Sequence, residues 1–301
     1  MGPVVIDCDP GVDDAVALLW ALAAPLDVRA VTAVAGNVAL AATAANARRI
    51  VALAGRAEVP VHAGCPRPLV ERLATAAHVH GESGLDGAEL PSPENPLAVG
   101  HAVDRLAALA GAREPLTLCA LGPLTNLAVA LIKEPEFAAG LERIVLMGGT
   151  IGGGNVTPSA EFNFYVDPHA AKVVFESGVP IVMVGLDVTA QLRPTAARLE
   201  RLRSIDGACG RAVAGMLERY AARATDGGAL HDPLAVGYLL APELFAGEAA
   251  YVEIVIEGPC RGRSVVDFDG RTAHAPNARV LTRVDADAAF AQLCAALERS
   301  P

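Results

Sequence analysis

The sequence predicts an α/β protein: one mostly parallel, open sheet with helices on both faces and a binding site at the carboxyl ends of the strands. Short runs of β-branched and aliphatic residues are continuous rather than alternating, as strands buried on both faces read. Segments with helical spacing lie between them. The polar residues able to do chemistry follow the strands directly, where an open parallel sheet binds ligands. Hydrophobic residues make up 52 % of the 301 but aromatics only 4 %, so the core is expected to be Ala, Val and Leu, small helices packed on Val-rich strands. A single domain, 1–301, accommodates that length.

In chain order, strands are expected at Val4–Asp7, Val28–Val34, Thr117–Leu121, Ile144–Met147 and Ile181–Leu186. Helices are expected at Asp13–Ala23, Leu40–Leu53, Pro96–Ala110, Leu124–Lys133 and Pro168–Ser177, which combine good helix formers with apolar spacing. His231-Asp232-Pro233 opens a further helical run, and Tyr251–Glu257, Ser264–Phe268 and Arg279–Val284 read as strands before a last helix, Ala286–Arg299. Gly- and Pro-rich stretches at 77–96 and 149–160 read as long loops, which inside a compact domain are usually functional.

A formal charge of −10 argues against nucleic acid as a partner, which needs clustered Lys and Arg. The chain opens on Pro3–Ile6 with no basic region or cleavage site, and its longest apolar stretch, Ala15–Ala24, falls short of the ~20 residues that span a bilayer. The six cysteines form no CxxC pair and read as buried thiols. No membrane contact and a cytoplasmic location are expected.

Asp7, Asp9, Asp13 and Asp14 place four carboxylates in eight residues where the first strand turns through Pro10-Gly11 into a helix. An Asp at a helix N-terminus caps free N–H groups, which accounts for one or two of them. Four so close repel and raise one another's pKa, and a hard divalent cation, Ca²⁺ or Mg²⁺, relieves that conflict through oxygen ligands. An EF-hand loop from Asp7 would need Glu where Leu18 stands, and a phosphatase DxDx[TV] strand end would need Thr or Val where Gly11 stands. Asp232 followed by Pro233 is an ordinary capped helix start, as is Asp167-Pro168. Beside a cation short of ligands, however, Asp232 supplies a carboxylate and His231 a group suited to proton transfer near neutrality.

These segments together resemble the inosine–uridine nucleoside hydrolase family, built around DxDxxxDD, here Asp7-x-Asp9-x-x-x-Asp13-Asp14. Val34-Ala-Gly-Asn37, His78-Val-His80-Gly-Glu-Ser-Gly84, Leu121-Gly-Pro-Leu-Thr-Asn126, Val145-Leu-Met-Gly-Gly149, Asn155 with Ala160-Glu-Phe-Asn163, Gly185-Leu-Asp187 and His231-Asp-Pro233 follow in the family's order and spacing. The resemblance implies hydrolysis of the N-glycosidic bond of a small-molecule ribonucleoside. It implies Ca²⁺ held by Asp9, Asp14, Asp232 and the Leu121 carbonyl, a calcium-positioned water activated by Asp9, and His231 as leaving-group acid. It assigns Asp13, Asn37, Asn155, Glu161 and Asn163 to ribose hydroxyls, Met147 and Phe162 to packing against ribose or base, and His80 to the neighbourhood of the base. Asp7 falls behind these as an orienting residue, and Asn126 supports a turn. A homodimer or homotetramer is implied as well.

The chain departs from the family before His231. Purine-recognising members often carry a Tyr there, whereas here the nearest is Tyr220, which reaches the site only if its helix carries it inward. Gly227-Gly228 in that segment suits a flexible lid. Two other classes are weighed beside the hydrolase. A non-catalytic nucleoside or sugar binder would need neither Asp9 nor His231, and a metal-dependent phosphatase would need phosphate-binding Lys or Arg near the acids.

Overall fold

A computed structural model describes residues 2–93, 96–223 and 227–301. Nine strands form its sheet: β1 (Pro3–Cys8), β2 (Asp27–Ala33), β3 (Val61–Ala63), β4 (Leu116–Ala120), β5 (Leu141–Met147), β6 (Ile181–Val184), β7 (Phe245–Ile254), β8 (Ser264–Asp267) and β9 (Ala278–Val284). Their spatial order is β3-β2-β1-β4-β5-β6-β9-β7-β8. Every pair from β3 to β9 is parallel, and β7 and β8 extend the edge antiparallel. The chain winds outward from β1 in one direction and from β4 in the other, so the β1/β4 boundary is the topological switch point where such sheets bind ligands.

The β1 residues divide by alternation. Val4, Ile6 and Cys8 enter one core layer with the helices Val12–Ala23, Ala208–Arg223, Pro233–Leu240 and Ala286–Leu297. Val5 enters the opposite layer with helices Ala102–Ala110, Thr125–Lys133 and Pro168–Phe175. Both faces are covered, which is why the strands read as unbroken apolar runs. Among the described residues no helix is long and apolar enough to cross a membrane.

Several boundaries differ from expectation. The helix expected from Pro96 begins at Ala102, with His101 Nδ1 accepting from the Val103 N–H at 3.3 Å, because the preceding residues run alongside β3 and Ala98 N–H donates to Val61 O. The strand expected to reach Leu186 ends at Val184, where Gly185 starts a short helix, Leu186–Thr189. β7 lies at Phe245–Ile254 rather than Tyr251–Glu257. The loop expected at 77–96 holds a helical turn, Ala77–His80.

Candidate active site

β1 ends one residue before Asp9, and the chain turns at once into helix Val12–Ala23 with Asp13 and Asp14 in its first turn. Asp14 does the capping: its carboxylate accepts from Gly11 N–H at 2.9 Å and Asp9 N–H at 3.2 Å. Asp9 is held differently. Its Oδ2 accepts from Asn37 N–H at 2.6 Å, while its Oδ1 is buried with no hydrogen-bond partner. A Cβ at either Gly36 or Gly122 would overlap this carboxylate, so the loops after β2 and β4 close on it only because both positions are glycine.

Asp232 opens helix Pro233–Leu240 yet accepts no capping bond from it. The other Asp-Pro start behaves ordinarily: Asp167 accepts from Ala170 N–H at 3.0 Å and ties in Leu69 N–H and the Thr125 hydroxyl. The Asp232 carboxyl is grouped with those of Asp13 and Asp14 instead. Oxygens of Asp13, Asp14 and Asp232 all lie within 4.8 Å of one another.

Burial, reinforced by the Asp13 charge, pushes Asp14 up to about 7. Asp9 and Asp232 stand well above the usual carboxylate range, first from burial and then from their acidic neighbours. This set fits a hard divalent cation: the donors are oxygens, one buried carboxylate oxygen lacks a partner, and three carboxylates crowd together with no cationic side chain among them. The cluster close enough to hold it is Asp13, Asp14 and Asp232; Asp9, expected as a ligand, is not among them, and it is tied to Asp14 through its backbone N–H.

Above the acids opens a cavity of about 300 Å³, within the range of small-molecule sites. Asp13, Asn37, His80, Met147, Asn155, Glu161, Phe162 and Asn163 line it, together with Leu121, His231 and Asp232; Asp14, expected to be shared between metal and sugar, does not. Asp9 and Asp14 lie behind that lining. Glu161 caps helix Phe162–Val166, its carboxylate accepting from the N–H groups of Asn163, Phe164 and Gly149. Burial nevertheless raises its pKa. Asn163 Nδ2 donates to Leu121 O at 2.7 Å and Met147 O at 3.1 Å, fastening the ends of β4 and β5. Asn37 Nδ2 reaches Asp14 and the Asp9 carbonyl, and Asn155 Oδ1 accepts from Phe162 N–H at 2.9 Å.

His80 accepts at Nδ1 from Val12 N–H at 3.1 Å, and burial holds its imidazole below the usual pKa. The neutral ring therefore carries its proton on Nε2. Tyr220 stacks on it with centroids 5.3 Å apart and lines the same cavity, so the helix does carry Tyr220 inward. Part of the segment after it, residues 224–226, lies outside the described residues. Asp7 sits behind the site: Asn126 Nδ2 and the Thr32 hydroxyl donate to it, and Asn126 Oδ1 accepts from Cys65 N–H. Asp187 accepts from Ile151 N–H at 2.6 Å and so anchors the loop after β5. One contact with no signal in the sequence is that of Thr189, whose hydroxyl lies 2.8 Å from His231 Nδ1.

A cavity lined by acids and amides at the switch point of such a sheet is the setting of a small-molecule enzyme, and the comparisons with known proteins define the class as metal-dependent nucleoside hydrolases. The chain belongs to the inosine-uridine preferring nucleoside hydrolase family, whose model matches residues 4–291. It is a ribonucleoside hydrolase, cleaving the N-glycosidic bond. It is 44 % identical over 292 residues to a pyrimidine-specific ribonucleoside hydrolase of Salmonella agona, covering 94 % of each chain. It is equally identical over 308 residues to an uncharacterized protein of Schizosaccharomyces pombe, covering 99 % of each. Among solved structures, a purine-preferring ribonucleoside hydrolase from Gardnerella vaginalis superposes with a TM-score of 0.91 at 32 % identity, covering 99 % of this chain and 98 % of that one. A plant nucleoside hydrolase, PpNRh1, gives 0.92 at 33 %, covering 98 % of each.

Proposed function

We propose that this hydrolase releases free base and ribose by direct attack of water at C1′, with Asp9 as base, His231 as leaving-group acid, and Ca²⁺ held by Asp9, Asp14, Asp232 and the Leu121 carbonyl. The observation that carries the reading is the Asp9 carboxylate, fixed by Asn37 at one oxygen and left without a partner at the other, in a wall built too tightly for any side chain at Gly36 or Gly122. A divalent cation bound there would supply a fixed water of lowered pKa beside the ribose.

Asp9 takes the proton of the attacking water. Asp13, Asn37, Asn155, Glu161 and Asn163 hold the ribose hydroxyls, and Met147 and Phe162 pack against ribose and base. The surrounding carboxylates favour the positive charge that develops on the sugar as the bond breaks. The Leu121 carbonyl already accepts from Asn163 and keeps a second lone pair for a cation.

Pyrimidine ribonucleosides are the expected substrates. The relative at 44 % identity is pyrimidine-specific, whereas a purine-preferring one stands at 32 %, and the His80–Tyr220 stack takes up space at the base end of a cavity near the small end of the usual range. Reducing-sugar release from uridine, cytidine, inosine, adenosine and 2′-deoxyuridine tests this. Uridine and cytidine should lead, 2′-deoxyuridine should lag, and exhaustive chelation should stop turnover until Ca²⁺ is returned. Activity that survives chelation would remove the cation from the proposal, and faster inosine cleavage would remove the pyrimidine preference.

A further inference from the structure

His231 is fixed from behind by a residue that no motif marks. β6 ends at Val184, and the four-residue helix Leu186–Thr189 that follows finishes on Thr189, whose N–H donates to Gly185 O at 3.1 Å. Thr189 is fully buried and His231 is 7 % exposed, with Oγ1 and Nδ1 2.8 Å apart. At that distance, in a buried setting, the hydrogen bond defines which way the imidazole faces. With Nδ1 turned to Thr189, a proton that His231 gives to a ligand in the cavity leaves from Nε2.

We propose that Thr189 is a positioning residue for leaving-group protonation, holding the His231 ring so that Nε2–H meets the departing base. The proposal rests on the reading of His231 as the acid. In the step, the water oxygen bonds to C1′ and its proton passes to Asp9. The C1′–N bond breaks with its electron pair going to the base, and the Nε2–H bond breaks to deliver a proton there. His231 is left neutral with its proton on Nδ1, still donating to the Thr189 oxygen. The hydroxyl accepts before and after transfer, so no tautomer change interrupts the step.

A hydroxyl suits this place better than a carboxylate. The site already gathers Asp9, Asp13, Asp14, Asp232 and Glu161, all buried, and one more anion would hold the proton on the imidazole instead of releasing it.

The experiment compares Thr189→Val, which keeps the shape and removes the hydroxyl, with Thr189→Ser, which restores it, on uridine and on 4-nitrophenyl riboside, whose leaving group departs without an acid. Thr189→Val should lower kcat for uridine about 10-fold to 100-fold, a share of the 10²–10⁴ an acid contributes. KM should stay within about twofold, the nitrophenyl substrate should lose less than about threefold, and Thr189→Ser should recover most of the uridine rate. Equal losses on both substrates, or none on uridine, would overturn the proposal. Should Thr189→Val fail to fold, Thr189→Ala gives the same two readings. His231→Ala separates the premise from the inference. If it loses both substrates equally, the acid assignment fails. If it spares the nitrophenyl riboside while the Thr189 variants do not, the acid stands and the role of Thr189 falls.

Discussion

Asp9 has a carboxylate oxygen with no partner in a wall of backbone, beside other acids, and in the absence of a cation it destabilises the fold it belongs to. Function and stability therefore pull apart at this residue. Asp9→Asn removes the buried charge while keeping an oxygen for the Asn37 N–H, so the cation-free protein should melt higher than the parent. Turnover of uridine should fall at least 10²-fold, the lower bound for a lost general base, and the Tm gained on adding Ca²⁺ should shrink. A variant retaining more than a tenth of the parent rate would remove Asp9 from the base position. Legibility at this scale follows how local the chemistry is. Asp9, Asp13 and Asp14 declare themselves because charge crowds within one turn, and Asp232 because a capping residue is easily seen in a sequence, although the structure shows that it does not cap. Thr189 left no mark, and although His80 and Tyr220 were each candidates for the site their stacking on one another was not legible, because each contact joins elements far apart in the chain.

The carboxylates meet because two helices begin at the same point. Helix Val12–Ala23 brings Asp13 and Asp14, helix Pro233–Leu240 brings Asp232, and both N-termini favour negative charge. Their approach depends on Gly237, where a Cβ would stand 3.0 Å from the Trp20 ring and 3.6 Å from Phe245. Gly237→Leu should force the pair apart at a cost of about 1–3 kcal/mol of overpacking. Because that displacement is transmitted to Asp232, Ca²⁺ affinity read by titration calorimetry should drop about tenfold, a loss of ~1.4 kcal/mol. Unchanged affinity in a folded Gly237→Leu protein would show that the helix spacing does not set the site. The sheet and most of its helices were legible, since continuous apolar strands and 3.6-residue spacing survive as patterns in the chain. β3 was not, being three residues long. Helix Ala196–Arg203 buries only Leu202, which leaves almost no apolar stripe to read. Helix Ala208–Arg223 is interrupted by Gly210 and Gly215, which look like breakers in sequence but are close contacts in space, with Gly215 pressed against the Gly87 backbone.

Across the whole molecule, the balance between protons and cation at the acidic centre should govern how stability varies with pH. The ordinary Asp value is 3.8, and in the folded protein burial raises Asp7 and Asp14 to about 7 and Asp9 and Asp232 well above their usual range. A raised carboxylate pKa means that the folded state binds more protons than the unfolded chain. Its stabilising contribution is complete below about pH 4 and is lost as pH rises through the folded value near 7. For the cation-free protein, Tm should therefore decline from this source between about pH 5 and pH 8. On the proposed reading a cation would displace protons from these carboxylates, and it would compete best where protons are scarce. The rise in Tm on adding saturating Ca²⁺ should accordingly be larger at pH 8 than at pH 5, by about 5 °C or more, given ~2–4 °C per kcal/mol for a chain of this size. The surface ion pairs, most of them well exposed, contribute little to this difference because solvent screens them. An increment equal at the two pH values, or greater at the lower one, would mean that the cation does not displace protons from these carboxylates.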